Sequence, residues 1–299
     1  MKQHHYGLVA VISAYTLWGL LPIYWKFLAS VSAVEIFAHR IIWSFTLTLL
    51  LYKAGKRHPF PLSQLFQLTT LLCLSFTAIL LGINWLLYIW AVNNGHVIEA
   101  SLGYFINPLL AVLLGVVILH EKIRKMQILA VLVALVGVLY MSASLKHVPW
   151  VALSLAATFS IYTLLRKTSS IPPLDGLLME MGILTLPSLL ALAFFFKGQG
   201  EVAFIHGGAT ITTLLIGAGA VTVMRRVIFI SWTGAIPLIS VGLTQYLAPT
   251  INFMLGIFYF HEPFPREEKI GFAFIWVALL LYSVDQIFRL ARGKSQLLQ

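Results

Sequence analysis

The sequence predicts an all-α integral membrane protein of ten transmembrane helices, arranged as two inverted five-helix repeats. Three observations carry that expectation: a shortage of charge, a series of evenly spaced apolar runs, and a self-similarity at long offset. Of 299 residues, 60% are hydrophobic and 10% charged, against roughly 25% charged in an ordinary soluble domain. A soluble fold of this length lacks the charge to cover its outside. Lipid removes the difficulty, because apolar side chains are then the correct outer surface. One span needs about 20 mostly apolar residues to cross the hydrocarbon layer, so ten spans leave room for short loops only.

Ten apolar runs satisfy that length. They cover Tyr6–Phe27, Val34–Tyr52, Leu68–Trp90, Val97–Leu119, Gln127–Ser144, Pro149–Leu165, Leu174–Phe196, Thr210–Thr233, Ile236–Phe260 and Ile270–Phe288. The connectors carry turn residues such as Asn93-Asn94-Gly95 and Pro172-Pro173. The first run is too long for the h-region of a cleaved signal peptide and is read as a retained helix.

Orientation follows from Lys and Arg, which concentrate in cytoplasmic loops. With the N-terminus inside, the inner loops and tails hold Lys2, Lys53, Lys56, Arg57, Lys122, Arg124, Lys125, Arg166, Lys167, Arg289, Arg292 and Lys294. The outer loops hold only Lys146, Lys197, Arg266 and Lys269. Both termini are therefore expected in the cytoplasm of a bacterial-type cell, the chain being multi-pass in its inner membrane. The net charge of +10 is spread over these loops, which argues for the lipid bilayer as partner and against nucleic acid.

The self-similarity has an offset of 141 residues. Pro108 aligns with Pro249, Gly115 with Gly256, His120 with His261 and Glu121 with Glu262. Residues 1–146 and 147–299 thus form two repeats of five spans. An odd number of spans per repeat forces opposite orientations, the architecture of many secondary transporters.

Other functions find no support in the motifs. There is no G-x-x-x-x-G-K-[ST] phosphate loop and no G-x-S-x-G nucleophile elbow. Asp175 and Asp285 sit near span ends, unsuited to an intramembrane aspartyl pair. The lone Cys73 permits no internal disulfide, and nothing calls for a metal or cofactor. The chain is not expected to be an enzyme.

The run NWLLYIWAVNNGHVIEASLGYFINP, residues 84–108, resembles the drug/metabolite transporter superfamily and, within it, the RarD-type permeases of the EamA family. Ala14-Tyr15-Thr16-Leu17-Trp18-Gly19 and Val241-Gly242-Leu243-Thr244-Gln245-Tyr246-Leu247-Ala248-Pro249 are similar to the same group. The resemblance covers nearly the whole chain and implies a ten-span transporter of two EamA repeats. Chloramphenicol sensitivity is attached to the group's name without fixing a substrate. Met224-Arg225-Arg226 depart from the uncharged stretch usual in the eighth span. Two arginines there imply either a span shifted towards the interface or a wet cavity.

Two prolines locate the expected site. A proline inside a helix removes the bond to the carbonyl four residues earlier, so Pro108 frees Tyr104 and Pro249 frees Gln245. Breaks at matching places in inverted halves point to a midplane binding site; the alternative is a kink packed by neighbours. Tyr104 and Asn107 share a helix face, as do Asn84 and Tyr88, and Tyr15 and Trp18 lie on one stripe of the first span. With Gln245 and Asn252 these residues are expected to bind a small organic solute. Glu35, His39, Arg40 and Glu99 form an expected intramembrane charge cluster, in which Arg40 meets Glu99, Glu35 or a substrate carboxylate. The leading reading is a permease or exporter working by alternating access. A channel or facilitator is the alternative, and a membrane-embedded enzyme is a more distant one. Nothing in the sequence sets the oligomeric state, and a monomer suffices for every reading.

Overall fold

All regular structure among the described residues is helical. The structure is a computed structural model that describes residues 2–54, 67–120, 125–145, 148–169, 171–197, 202–233 and 245–296. The helices are α1 (Lys2–Gly19), α2 (Leu21–Lys26), α3 (Ala33–Ala54), α4 (Leu68–Asn93), α5 (Val97–Leu119) and α6 (Lys125–Leu145). They continue as α7 (Trp150–Thr168), α8 (Pro173–Lys197), the one-turn α9 (Ala203–His206), α10 (Gly208–Thr233), α11 (Leu247–Met254) and α12 (Arg266–Gln296). Five helical stretches are long and apolar enough to cross a membrane: Ala33–Ala54, Leu68–Asn93, Val97–Ile118, Lys125–Ser144 and Leu174–Phe194.

One expected span is interrupted, and within another a helix opens inside the expected range. The first divides at Leu20, between α1 and α2. Pro22 sits in the first turn of α2 and lacks the N–H that the Trp18 carbonyl would otherwise receive, so the helix restarts there. In the ninth, α11 opens at Leu247, which places Pro249 in a first turn where the missing N–H is least disruptive. Pro108, by contrast, lies inside the continuous α5. The part of that span before Gln245 lies outside the described residues. Beyond Met254 the chain widens into a π-turn, Leu255–Tyr259, closed by the Phe260 N–H donating to the Leu255 carbonyl at 2.8 Å.

The helices form two packing units that interleave along the chain. Unit 1 holds residues 1–20, 94–164 and 232–299; unit 2 holds 21–93 and 165–231. In unit 1, α6 packs along α12, and α11 packs on both α1 and α5. Small residues permit these approaches: a Cβ at Gly137 of α6 would stand 2.7 Å from the Phe274 Cβ of α12. A Cβ at Gly19 would stand 2.6 Å from that of Ile251. The core of this unit joins Leu102, Phe105, Ala130, Ala134, Phe253, Phe272 and Ile275. In unit 2, α3 packs along α8, and α4 packs on α8 and α3.

Two histidines end helices in the same unusual way. His120 after α5 and His261 after the π-turn take left-handed backbone angles, φ 53° and 54°. They are the only non-glycine residues with positive φ among the described ones. They are also the pair matched by the sequence offset. Histidine is one of the few side chains enriched in that conformation, where the chain turns to satisfy the last carbonyls of a helix.

Candidate substrate-binding site

In unit 1, three of the expected binding residues meet. The Tyr15 and Trp18 rings stack with centroids 6.1 Å apart and planes at 6°. Trp18 meets Tyr104 edge-on at 5.7 Å. Phe159 of α7, which the sequence pattern did not single out, meets Trp18 at 6.1 Å and Tyr104 at 6.4 Å, both edge-on. Trp18, Tyr104 and Phe159 are only partly buried, so part of this aromatic wall stays open. Such rings suit flat or cationic organic groups, because their faces carry partial negative charge.

Beside this wall lies an amide. The Ser160 hydroxyl donates to the Asn107 Oδ1 at 2.6 Å. That bond orients the amide, whose NH2 can donate to an acceptor. Six residues earlier on α5, the Ser101 hydroxyl donates to the Pro249 carbonyl at 2.8 Å, tying α5 to the start of α11. Asn252 is wholly buried in α11, whereas Gln245 is half-buried in the turn before it.

The carboxylates of unit 1 serve helix ends. Glu262 accepts from the N–H groups of Val97 and Ile98, each at 2.8 Å, at the first turn of α5. Glu99 accepts from Val151 N–H at 3.0 Å at the first turn of α7, with His96 Nδ1 at 3.6 Å on its other oxygen. The first N–H groups of a helix lack intrahelical partners and carry partial positive charge, so a carboxylate is the matching cap.

The other expected residues gather in unit 2. Arg40 is buried, at 3% exposure. Its guanidinium carbon lies 3.9 Å from the ring centroid of Trp85 and 5.1 Å from that of Trp25, while its Nε donates to Thr222 Oγ1 at 3.0 Å. The two carboxylates expected beside it are engaged with backbone. Glu99 serves α7 as above, and Glu35 accepts from Ala203 and Phe204 N–H groups at 3.2 and 2.9 Å. His39, one turn from Glu35, stacks on the Phe204 ring at 4.4 Å. Asn84 and Tyr88 are both buried in α4. Arg225 and Arg226 lie on α10, and their side chains fall outside the described residues.

A further ionisable group of unit 2 was not among the expected ones. Glu180 of α8 is completely buried, accepts from the Thr77 hydroxyl of α4 at 2.9 Å, and lies 3.8 Å from Arg166 Nε. Its signal was present as a single carboxylate in the run LLMEMGIL. Phe159 and Ser160 carried no comparable signal, since one aromatic and one hydroxyl are ordinary in an apolar helix.

Comparison with known proteins settles the family. The EamA-like transporter family matches residues 5–143. An uncharacterised transporter, YojE of Bacillus subtilis, is 40% identical over 285 residues, covering 94% of each chain. The protein RarD of Streptomyces exfoliatus is 38% identical over 296 residues, covering 99% of this chain and 94% of that one. The chain belongs to the EamA family. Within it the similarity is to the RarD group, as the residues 84–108 suggested. A crystal structure 17% identical in sequence superposes with a TM-score of 0.58 over 92% of this chain and 96% of its own, which supports the fold alone. Family and apolar helices together make this EamA protein a multi-pass membrane protein of a transporter family.

Proposed function

We propose that this EamA protein is a secondary transporter of a small organic metabolite or drug, working by alternating access between two inverted repeats, residues 1–146 and 147–299. The observation that carries the reading is the pairing of helices within the units. Counted as spans, the fifth packs along the tenth (α6 with α12), the second along the seventh (α3 with α8), and the fourth meets the ninth (α5 with α11). In these three pairs a helix packs on its own counterpart under the 141-residue offset. That is what a two-fold relation between repeats produces. The matched left-handed histidines support the same relation.

In this reading Tyr15, Trp18, Tyr104 and Asn107 bind the solute, with Gln245 and Asn252 on the counterpart span. Asn84 and Tyr88 remain candidates for solute contact in α4. The aromatic wall takes the flat or apolar part of the solute, and the Asn107 amide takes a polar acceptor. Glu35 and Glu99 hold the helix ends that frame the units. Arg40 is assigned contact with a carboxylate, from solute or protein. In this reading both termini lie in the cytoplasm and the chain in a bacterial inner membrane, which the distribution of Lys and Arg supports.

A thermal-shift screen of the detergent-purified protein against a metabolite library tests this. A ligand that binds only the folded state adds about 2.7 kcal/mol at one hundred times its dissociation constant. The expected result is a hit that Tyr104→Ala and Asn107→Ala both abolish. A hit indifferent to Tyr104→Ala, Asn107→Ala and Gln245→Ala removes the site from unit 1.

A further inference from the structure

The single proton of the Thr77 hydroxyl has two acceptors within reach. The Thr77 Oγ1 lies 3.0 Å from the Leu74 carbonyl and 2.9 Å from Glu180 Oε1. A threonine hydroxyl carries a single proton and so donates to one acceptor at full strength. If Glu180 is ionised, Thr77 donates to it, and the Leu74 carbonyl keeps the backbone N–H that its helix supplies. If Glu180 carries a proton, it donates to the Thr77 oxygen, and Thr77 donates onward to Leu74. Both short contacts are then satisfied in series.

The ionised form has its own support. Arg166, at the end of α7, holds Nε 3.8 Å from the same Oε1 and directs Nη2 to the Ile171 and Pro172 carbonyls, each at 3.4 Å. Gly176, one turn before Glu180, leaves the space that this guanidinium fills, for a Cβ there would collide with it. The site therefore offers a partner for each protonation state: Arg166 for the carboxylate, and the Thr77–Leu74 pair for the acid. Glu180 itself lies within a helix long and apolar enough to cross a membrane, and it is completely buried. A carboxylate in that position marks a functional site by default, proton relays among them.

We propose that Glu180 is a reversible proton-binding site, the group through which transport by this chain is coupled to protons. The coupling role rests on the transporter reading; the proton site does not. Taking up a proton on Glu180 removes the charge facing Arg166 and reverses the donor in the Thr77 bond. The contact between α8 and α4 is thereby kept, while that between α8 and the α7–α8 turn is loosened. Other titratable groups on the elements around Glu180 are Asp175 on α8 itself, Tyr52 and Lys53 at the C-terminal end of α3, and Cys73 and Tyr88 on α4, while Lys167 and Lys197 close α7 and α8. Glu35, His39 and Arg40 stand towards the opposite end of α3.

Infrared difference spectroscopy of the full-length protein in lipid, acidic minus alkaline buffer, tests the site directly. A buried carboxyl that takes up a proton gives a carbonyl band outside the carboxylate region. The expected result is such a band in the unaltered protein, absent in Glu180→Gln. Thr77→Val keeps the carboxyl, and removing its hydrogen-bond partner is expected to move the band without abolishing it. This second variant decides the matter if Glu180→Gln does not fold. A band unchanged in Glu180→Gln, or one indifferent to Thr77→Val, overturns the proposal, as does the lack of any such band. No solute is needed, so a failed transport assay leaves this result standing.

Discussion

The two packing units bury different chemistry. In unit 2 every fully buried acid or base of the described residues is found: Glu35, His39, Arg40, Asp175 and Glu180. The fully buried polar side chains that unit 1 contributes are neutral: Ser101, Ser160 and Asn252. Its carboxylates Glu99 and Glu262 stand at helix ends, capping first turns. A helix N-terminus is a preformed cradle for negative charge, so unit 1 needs no buried cation to hold them. The difference teaches where sensitivity to charge should lie. On the functions proposed above, unit 1 supplies the rings and amides that recognise a solute, and unit 2 the groups that respond to charge.

Four substitutions sharpen or break that contrast, read as changes in unfolding free energy in mixed micelles. The largest effect is expected for Arg40→Ala. It removes two cation–π contacts in a desolvated site and the buried stem, about 3–4 kcal/mol in all. Arg40→Lys should lose about half as much, because an ammonium keeps the charge without the flat stack. A loss under about 1 kcal/mol for Arg40→Ala would show that the cation is tolerated rather than used. Next is Glu262→Ala, which leaves two N–H groups of α5 without their carboxylate and should cost about 2–3 kcal/mol. Its ligand shifts should persist, since the cap is structural. Gly137→Leu should cost about 1–3 kcal/mol by forcing α6 away from α12. The smallest is Ser160→Ala, about 1 kcal/mol for one hydrogen bond, with a changed ligand profile as Asn107 is released.

Much of the fold was legible because a lipid solvent makes its demand on long runs of sequence at once. The five helical stretches long and apolar enough to cross a membrane fall on the apolar runs, and Asn94-Gly95 turns as expected, with Gly95 at φ 75°. What the runs could not convey was interruption. The break at Leu20 and the helix start at Leu247 depend on single prolines, whose effect differs between a first turn and a helix interior. The site was legible by face and not by partner. Helical spacing brought Tyr15 and Trp18 together on one stripe, but spacing within a helix says nothing of which neighbour that stripe meets. So Phe159 and Ser160 went unseen, as did the Thr222 hydroxyl and the two indoles that lie against Arg40. Glu180 shows the reverse case. Its lone charge in an apolar run was visible, and only its burial against Thr77 gave it meaning.

The central claim is that solute crosses by a carrier cycle, and solute counterflow in proteoliposomes tests it most directly. Vesicles holding the unlabelled solute identified by thermal shift would be diluted into trace labelled solute. The account predicts transient accumulation of label above equilibrium, saturable and lost in Asn107→Ala. Flux that never saturates and shows no such overshoot would contradict it and leave a channel in its place.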